Sequence, residues 1–215
     1  MRADWYFPNG PEPSTNGFAP DGMWLGGVPL QLAVAELFMG DRAALTTSAG
    51  AAAGHAVTLP QDYVLAGHSL GGVFVTAVAG DLADRGATEN LAGRDSLRPR
   101  CLRGPRRCDA PTALTRLPAD LPVLLVGSPP YYWNQLGAAA DALVAARPGK
   151  FVGVILDHGS HADYVQGGNP LMQFIENAMV GFSKPQNIEA AQILAAGWIT
   201  DIPDAHHRAD HCRCC

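Results

Sequence analysis

Apolar and polar positions along the chain follow two periods. Over residues 29–52, Leu30, Ala33, Val34, Leu37 and Phe38 recur at helical spacing, with Pro29 near the start and Gly40 near a break. Residues 62–67, "DYVLAG", form a short apolar run ending in glycine, the pattern of a buried parallel strand. Residues 70–86 return to the helical period. Phe74, Ala77, Val78 and Leu82 share a face there, and Gly86 closes the element. Downstream, "LPVLLVGSP" and "KFVGVILDHGSH" read as further strand runs. "NQLGAAADALVAARPG", "NPLMQFIENAMVGF" and "IEAAQILAAGW" read as helices. Strands alternating with helices predict an α/β protein, a mostly parallel sheet flanked by helices. The expected organisation is one domain over residues 1–201 and a disordered tail over 202–215. No internal repeat, phosphate loop or G-x-G-x-x-G occurs.

Composition narrows the function classes. Of 215 residues, 47% are apolar and 16% charged, which suits one globular domain with a sizeable core. The net charge of −5 gives no general attraction to nucleic acid or to an anionic membrane. No run is long and apolar enough for a transmembrane helix, and the start lacks the apolar core of a signal peptide. The expected location is cytoplasmic, with secretion of a longer form left open. Five cysteines, at 101, 108, 212, 214 and 215, make a poor disulfide framework. The His- and Cys-rich tail "HHRADHCRCC" holds potential metal ligands but no zinc-type spacing, so neither metal nor cofactor is expected.

The chemistry-bearing signal is "GHSLGG". Gly67-x-Ser69-x-Gly71 fits G-x-S-x-G and lies between a predicted strand and a predicted helix, where that motif has meaning. A serine at so tight a turn takes a strained backbone, and the flanking glycines let the chain approach closely. Its Oγ then projects above the sheet edge at a helix N-terminus, where the N–H of Leu70 can stabilise an oxyanion. The competing reading is a chance pentapeptide in a chain with 24 glycines. A serine hydroxyl needs a base, and in this motif's fold the order is serine, acid, histidine. His161, in the loop of "LDHGSHADY", meets that order. His158 is the nearby competitor, and His55 precedes the serine.

With those residues the chain resembles the α/β-hydrolases, and more narrowly a group of actinobacterial serine hydrolases of esterase or lipase type. The matching text is "DGMWLGGVPLQLAVAELF", "VLAGHSLGG", "LPVLLVGSPPYYWN", "FVGVILDHGSHADY" with "GGNPL", and "AAGWITD". It covers most of residues 19–91 and 109–201. The resemblance implies Ser69 as nucleophile, His161 as base, and an acyl-enzyme formed from a small-molecule ester or an acyl lipid. The aromatic text "SPPYYWN" reads either as lining of an acyl pocket or as ordinary core.

Two segments depart from that pattern. Upstream of Ser69 there is no apolar strand ending in His-Gly, whose N–H would complete the oxyanion hole, so the sheet is expected to be truncated and Leu70 to be the lone donor. Loss of one such donor costs about 10²–10³ in rate. The second departure is "AGRDSLRPRCLRGPRRCD", residues 92–109. Six of the chain's fifteen Lys and Arg residues lie between Arg94 and Arg107, where a buried strand and an Asp are expected. An arginine-rich segment is a poor central strand, because unpaired buried charge costs several kcal/mol per ion. A shift of reading frame within residues 93–108, restored near Asp109, accounts for such text, with the tail after Thr200 as a second case. The triad acid is accordingly expected at Asp95, with Asp157 as second choice; Asp157 and Asp163, both close to His161 in sequence, each read more readily as a solvated loop residue or a cap.

Three functions compete on this text. The first is a serine hydrolase of carboxylic esters or acyl lipids through Ser69 and His161. The second is a catalytically inactive or damaged relative without turnover. The third is an anion- or nucleic-acid-binding module using the basic block, disfavoured by the net acidity and the lack of interleaved aromatic residues. The oligomeric state is not legible.

Overall fold

The computed structural model describes residues 24–97, 110–164, 166 and 169–212, with side chains described for all of these except 93–97, 110, 172 and 203–212. Helices α1 (Val28–Met39) and α2 (Ala43–Ala53) are followed by β1 (Tyr63–His68), α3 (Leu70–Asp84) and β2 (Leu91–Leu97). Then come α4 (Ala110–Arg116), β3 (Val123–Gly127), a 3₁₀ segment (Tyr132–Gly137), α5 (Ala138–Ala146), β4 (Gly153–Ile155), α6 (Pro170–Val180) and α7 (Pro185–Cys212). The four strands form one parallel sheet in the order β1-β2-β3-β4. The expected α/β class with a parallel sheet is therefore present.

Side-chain alternation along the strands sorts the core into two faces. Leu65, Leu91, Val123 and Leu125 join a cluster with Leu30 of α1, Phe74, Val78 and Leu82 of α3, Leu114 of α4 and Leu143 of α5. Val64, Ala92 and Leu124 join Trp198 and Ile202 of α7. Helices thus cover both faces, as a parallel sheet requires. α3 is the central helix. Its predicted face of Phe74, Ala77, Val78 and Leu82 is buried, and burial extends over Gly72–Gly80 as a whole. Each of its large apolar side chains contributes about 1.5–3 kcal/mol by leaving water. On α1 the predicted Leu30 is buried and Val34 and Phe38 pack against the core. Gln31 and Ala35 are buried beside them, and of the predicted face only Ala33 is exposed.

One expectation requires correction. The first six residues of the basic block, which hold Arg94 alone of its six arginines, do form the strand beside β1: all of β1 pairs with Leu91–Leu97, including Leu65 with Arg94 and Ala66 with Asp95. Ladder bonds use the backbone, and the strand is anchored by Leu91 and Ala92, which are 0% and 1% exposed. β2 also reaches β3 through Arg94–Val123 and Asp95–Leu124. The neighbour of β1 on that side is in place; residues 98–109 lie outside the described residues. α7 runs through the expected junction at 201/202 to Cys212, and Ile202 is 8% exposed in the core beneath it. Backbone over 202–212 continues α7.

Along its other edge β1 has no strand partner among the described residues. The absence of an upstream His-Gly strand concerns residues 1–23, which lie outside the described residues. Among the described residues no helix is long and apolar enough to cross a membrane.

Candidate active site

All parallel strands end on one edge of the sheet, where α/β proteins place their sites. β1 delivers His68 and Ser69 to that edge. Ser69 has φ 55° and ψ −122°, a region that side-chain-bearing residues rarely occupy, and it separates β1 from α3 without a connecting loop. Gly67 makes this turn sterically feasible: a β-carbon there would lie 2.3 Å from the Gly71 carbonyl oxygen. Gly71 itself has nothing within 4 Å of such a carbon, so only the first glycine of the motif is required by contact. Leu70 is the first residue of α3, so its N–H has no acceptor within the helix and points with the positive end of the helix dipole. Ser69 itself is partly exposed.

The loop after β4 carries His161 back across the sheet. Three strand spacings of about 4.8 Å separate β4 from β1, roughly 14 Å, within reach of the six residues from Leu156 to His161. His161 is 7% exposed and packs against His68, with ring centroids 4.7 Å apart and planes at 50°. The sequence-predicted nucleophile and base are thereby brought to one corner, with His161 against the residue preceding Ser69.

The turn bearing His161 is tied internally and externally. The Ser160 N–H donates to Asp163 Oδ2 at 2.8 Å, and the Ala162 N–H donates to Ser160 Oγ at 3.2 Å. Ser160 Oγ–H donates to the Gly181 carbonyl at 2.7 Å, at the end of α6. The His161 N–H donates to Tyr131 Oη at 2.7 Å, and the His161 carbonyl accepts from His68 Nε2 at 2.8 Å. Tyr131 is in turn held by Asn134, whose Oδ1 accepts from the Tyr131 N–H at 2.8 Å and from the Gly137 N–H at 3.1 Å. Asn134 Nδ2 faces the Ser128 carbonyl, Ser128 Oγ and the Pro129 carbonyl at 3.1, 3.0 and 2.8 Å. "SPPYYWN" is therefore neither simple core nor simple pocket lining: Asn134 shapes the loop and Tyr131 reaches the histidine turn.

The carboxylates separate clearly. Asp95 sits within β2, in register between Ala66 of β1 and Leu124 of β3; its side chain lies outside the described part. Asp157 is exposed and its carboxylate stands 3.4 Å from His158 Nε2, away from the His161 turn. Asp163 is fully buried and its Oδ2 accepts from the Ser160 N–H of its own turn. His158, at φ 54°, is exposed beside Asp157, and His55 lies in the exposed loop after α2. Of the competing histidines only His161 reaches the elbow. The tail cysteines and histidines fall outside the described side chains; among the described residues no group of three or more His, Cys, Asp or Glu is placed to hold a metal ion.

The sequence assigned no role to His68 and placed Tyr131 and Asn134 only in a segment read as acyl-pocket lining or core. The signal was present, since an Asn four residues beyond a pair of prolines is a natural loop clamp, but its target on a distant loop was not legible. Comparisons with protein-family models, with curated proteins and with solved structures find no match to this chain.

Proposed function

We propose that the protein is a serine hydrolase with an α/β-hydrolase-type fold, cleaving carboxylic esters or acyl lipids through an acyl-enzyme on Ser69. The observation that carries this reading is the backbone of Ser69, strained at φ 55°, ψ −122° on a strand-to-helix turn that Gly67 alone makes feasible. Such strain in a side-chain-bearing residue costs about 1–3 kcal/mol and persists where function retains it.

In this scheme Ser69 Oγ adds to the ester carbonyl while His161 takes its proton. The carbonyl oxygen becomes an oxyanion facing the Leu70 N–H. The intermediate collapses to the acyl-enzyme, and His161 returns the proton to the departing alcohol. Water then repeats the sequence, His161 taking one of its protons, and the acid leaves with Ser69 restored. Asp95, on the strand next to β1, is the carboxylate assigned to orient His161. The partial exposure of Ser69 supports access by a small-molecule ester.

The test is hydrolysis of p-nitrophenyl acetate and butyrate. The reading expects turnover that Ser69→Ala and His161→Ala each reduce by at least 10³-fold, the order seen when a triad member is removed. A folded chain whose slow turnover both variants retain is instead the inactive relative.

A further inference from the structure

We propose that Tyr131 and His68 are positioning residues that clamp the backbone of His161, fixing the base from both sides of one peptide residue. This rests on the reading of Ser69 and His161 as nucleophile and base. The two backbone groups of His161 are held by side chains from different strand ends. Its N–H donates to Tyr131 Oη at 2.7 Å, from the loop after β3, and its carbonyl accepts from His68 Nε2 at 2.8 Å, from the end of β1. A carbonyl only accepts, so His68 carries its hydrogen on Nε2. Tyr131 Oη, having accepted from His161, donates toward the Val180 carbonyl at 3.4 Å, at the end of α6. The clamp therefore ties together β1, the loop after β3, the loop after β4 and α6.

The geometry fits positioning better than general adhesion. His161 lies on a loop that crosses the sheet, and loops hold catalytic geometry poorly unless their backbone is fixed. His68 is the residue immediately before Ser69, so its hydrogen bond refers the base directly to the nucleophile's own strand. Displacement of a reacting group by about 1 Å costs about 10²-fold in rate.

The experiment compares Tyr131→Phe, His68→Asn and His68→Gln with wild type. Glutamine presents an N–H near the position of imidazole Nε2, whereas asparagine is too short and mimics Nδ1. Three quantities are read: kcat and KM for p-nitrophenyl butyrate, the cooperative melt, and amide hydrogen exchange of the peptide spanning residues 159–164. The proposal expects kcat to fall about 10- to 100-fold in Tyr131→Phe and His68→Asn, with KM within twofold, faster exchange over 159–164, and recovery in His68→Gln. Wild-type kcat in Tyr131→Phe and His68→Asn overturns the positioning role alone. So does equal loss in His68→Asn and His68→Gln, which indicates packing. A wild-type chain without Ser69-dependent turnover removes the hydrolase reading, and the positioning role falls with it.

Discussion

Gly67 and Gly71 meet backbone to backbone across the Ser69 turn: a β-carbon on Gly67 would stand 2.3 Å from the Gly71 carbonyl oxygen and 2.8 Å from the Gly72 nitrogen. No side-chain rotation relieves a contact with main chain, so Gly67→Ala must open the turn. The expected outcome is loss of ester turnover together with a destabilisation of about 1–3 kcal/mol, the usual scale for overpacking, read by thermal melting. Gly71→Ala, with open space around its β-carbon, is expected to keep the melt within about 0.5–1 kcal/mol, near the usual Gly–Ala difference in a helix.

The strain at Ser69 gives a second prediction, of opposite sign. Ser69→Gly removes the β-carbon from a conformation glycine tolerates and removes the nucleophile as well. Stability is expected to rise by about 1 kcal/mol or more, within the 1–3 kcal/mol cost of such backbone strain, while turnover disappears. A lower melting temperature in Ser69→Gly would count against a strained elbow.

Asn134 holds the loop that reaches the histidine turn. It is 9% exposed and its amide serves both donors and acceptors of the Ser128–Gly137 segment. Asn134→Asp keeps the shape but turns a carboxylate oxygen toward the Ser128 and Pro129 carbonyls. Calorimetry should show destabilisation by about 2–4 kcal/mol, since the change both removes hydrogen bonds and leaves acceptors facing acceptors. Ester turnover should slow with it, because Tyr131 is tied to the same amide.

Tyr63 provides a pH prediction. Burial against the core raises its phenol to about 12; Arg42 pulls it down and Glu89 adds to the rise. The unfolded chain ionises this group near 10 and the folded chain near 12, so the folded state binds more protons between them. The Tyr63 contribution is present in full below pH 10 and is lost as pH rises toward 12. Tyr63→Phe, which keeps the stack on Phe38, should flatten that part of the stability profile in denaturant titrations at pH 9–12.

The order of strands and helices was legible because it rests on periodicity, and α1, α3, β1, β3 and α6 lie close to where the apolar pattern places them. The strand-to-helix turn at Ser69 was legible because the strand–glycine–serine–helix text carries geometric meaning, and the chain order pointed to the loop that sets His161 against His68. β2 was missed because the block was weighed as a whole by its arginines, whereas the strand takes only Arg94 of them and follows from Leu91, Ala92 and the backbone ladder. The start of α5 was also placed early, since residues 132–137 form a 3₁₀ segment around the Asn134 clamp. The roles of His68 and Tyr131 depend on contacts spanning 93 and 30 residues, which no local pattern encodes.

The most direct test of Ser69 as nucleophile is labelling of the folded chain by a fluorophosphonate probe, followed by mass spectrometry of its peptides. A single adduct on Ser69, absent in Ser69→Ala and slowed at least 10²-fold in His161→Ala, is the predicted result. A cooperatively folded chain that takes no label, or takes it elsewhere, would contradict it.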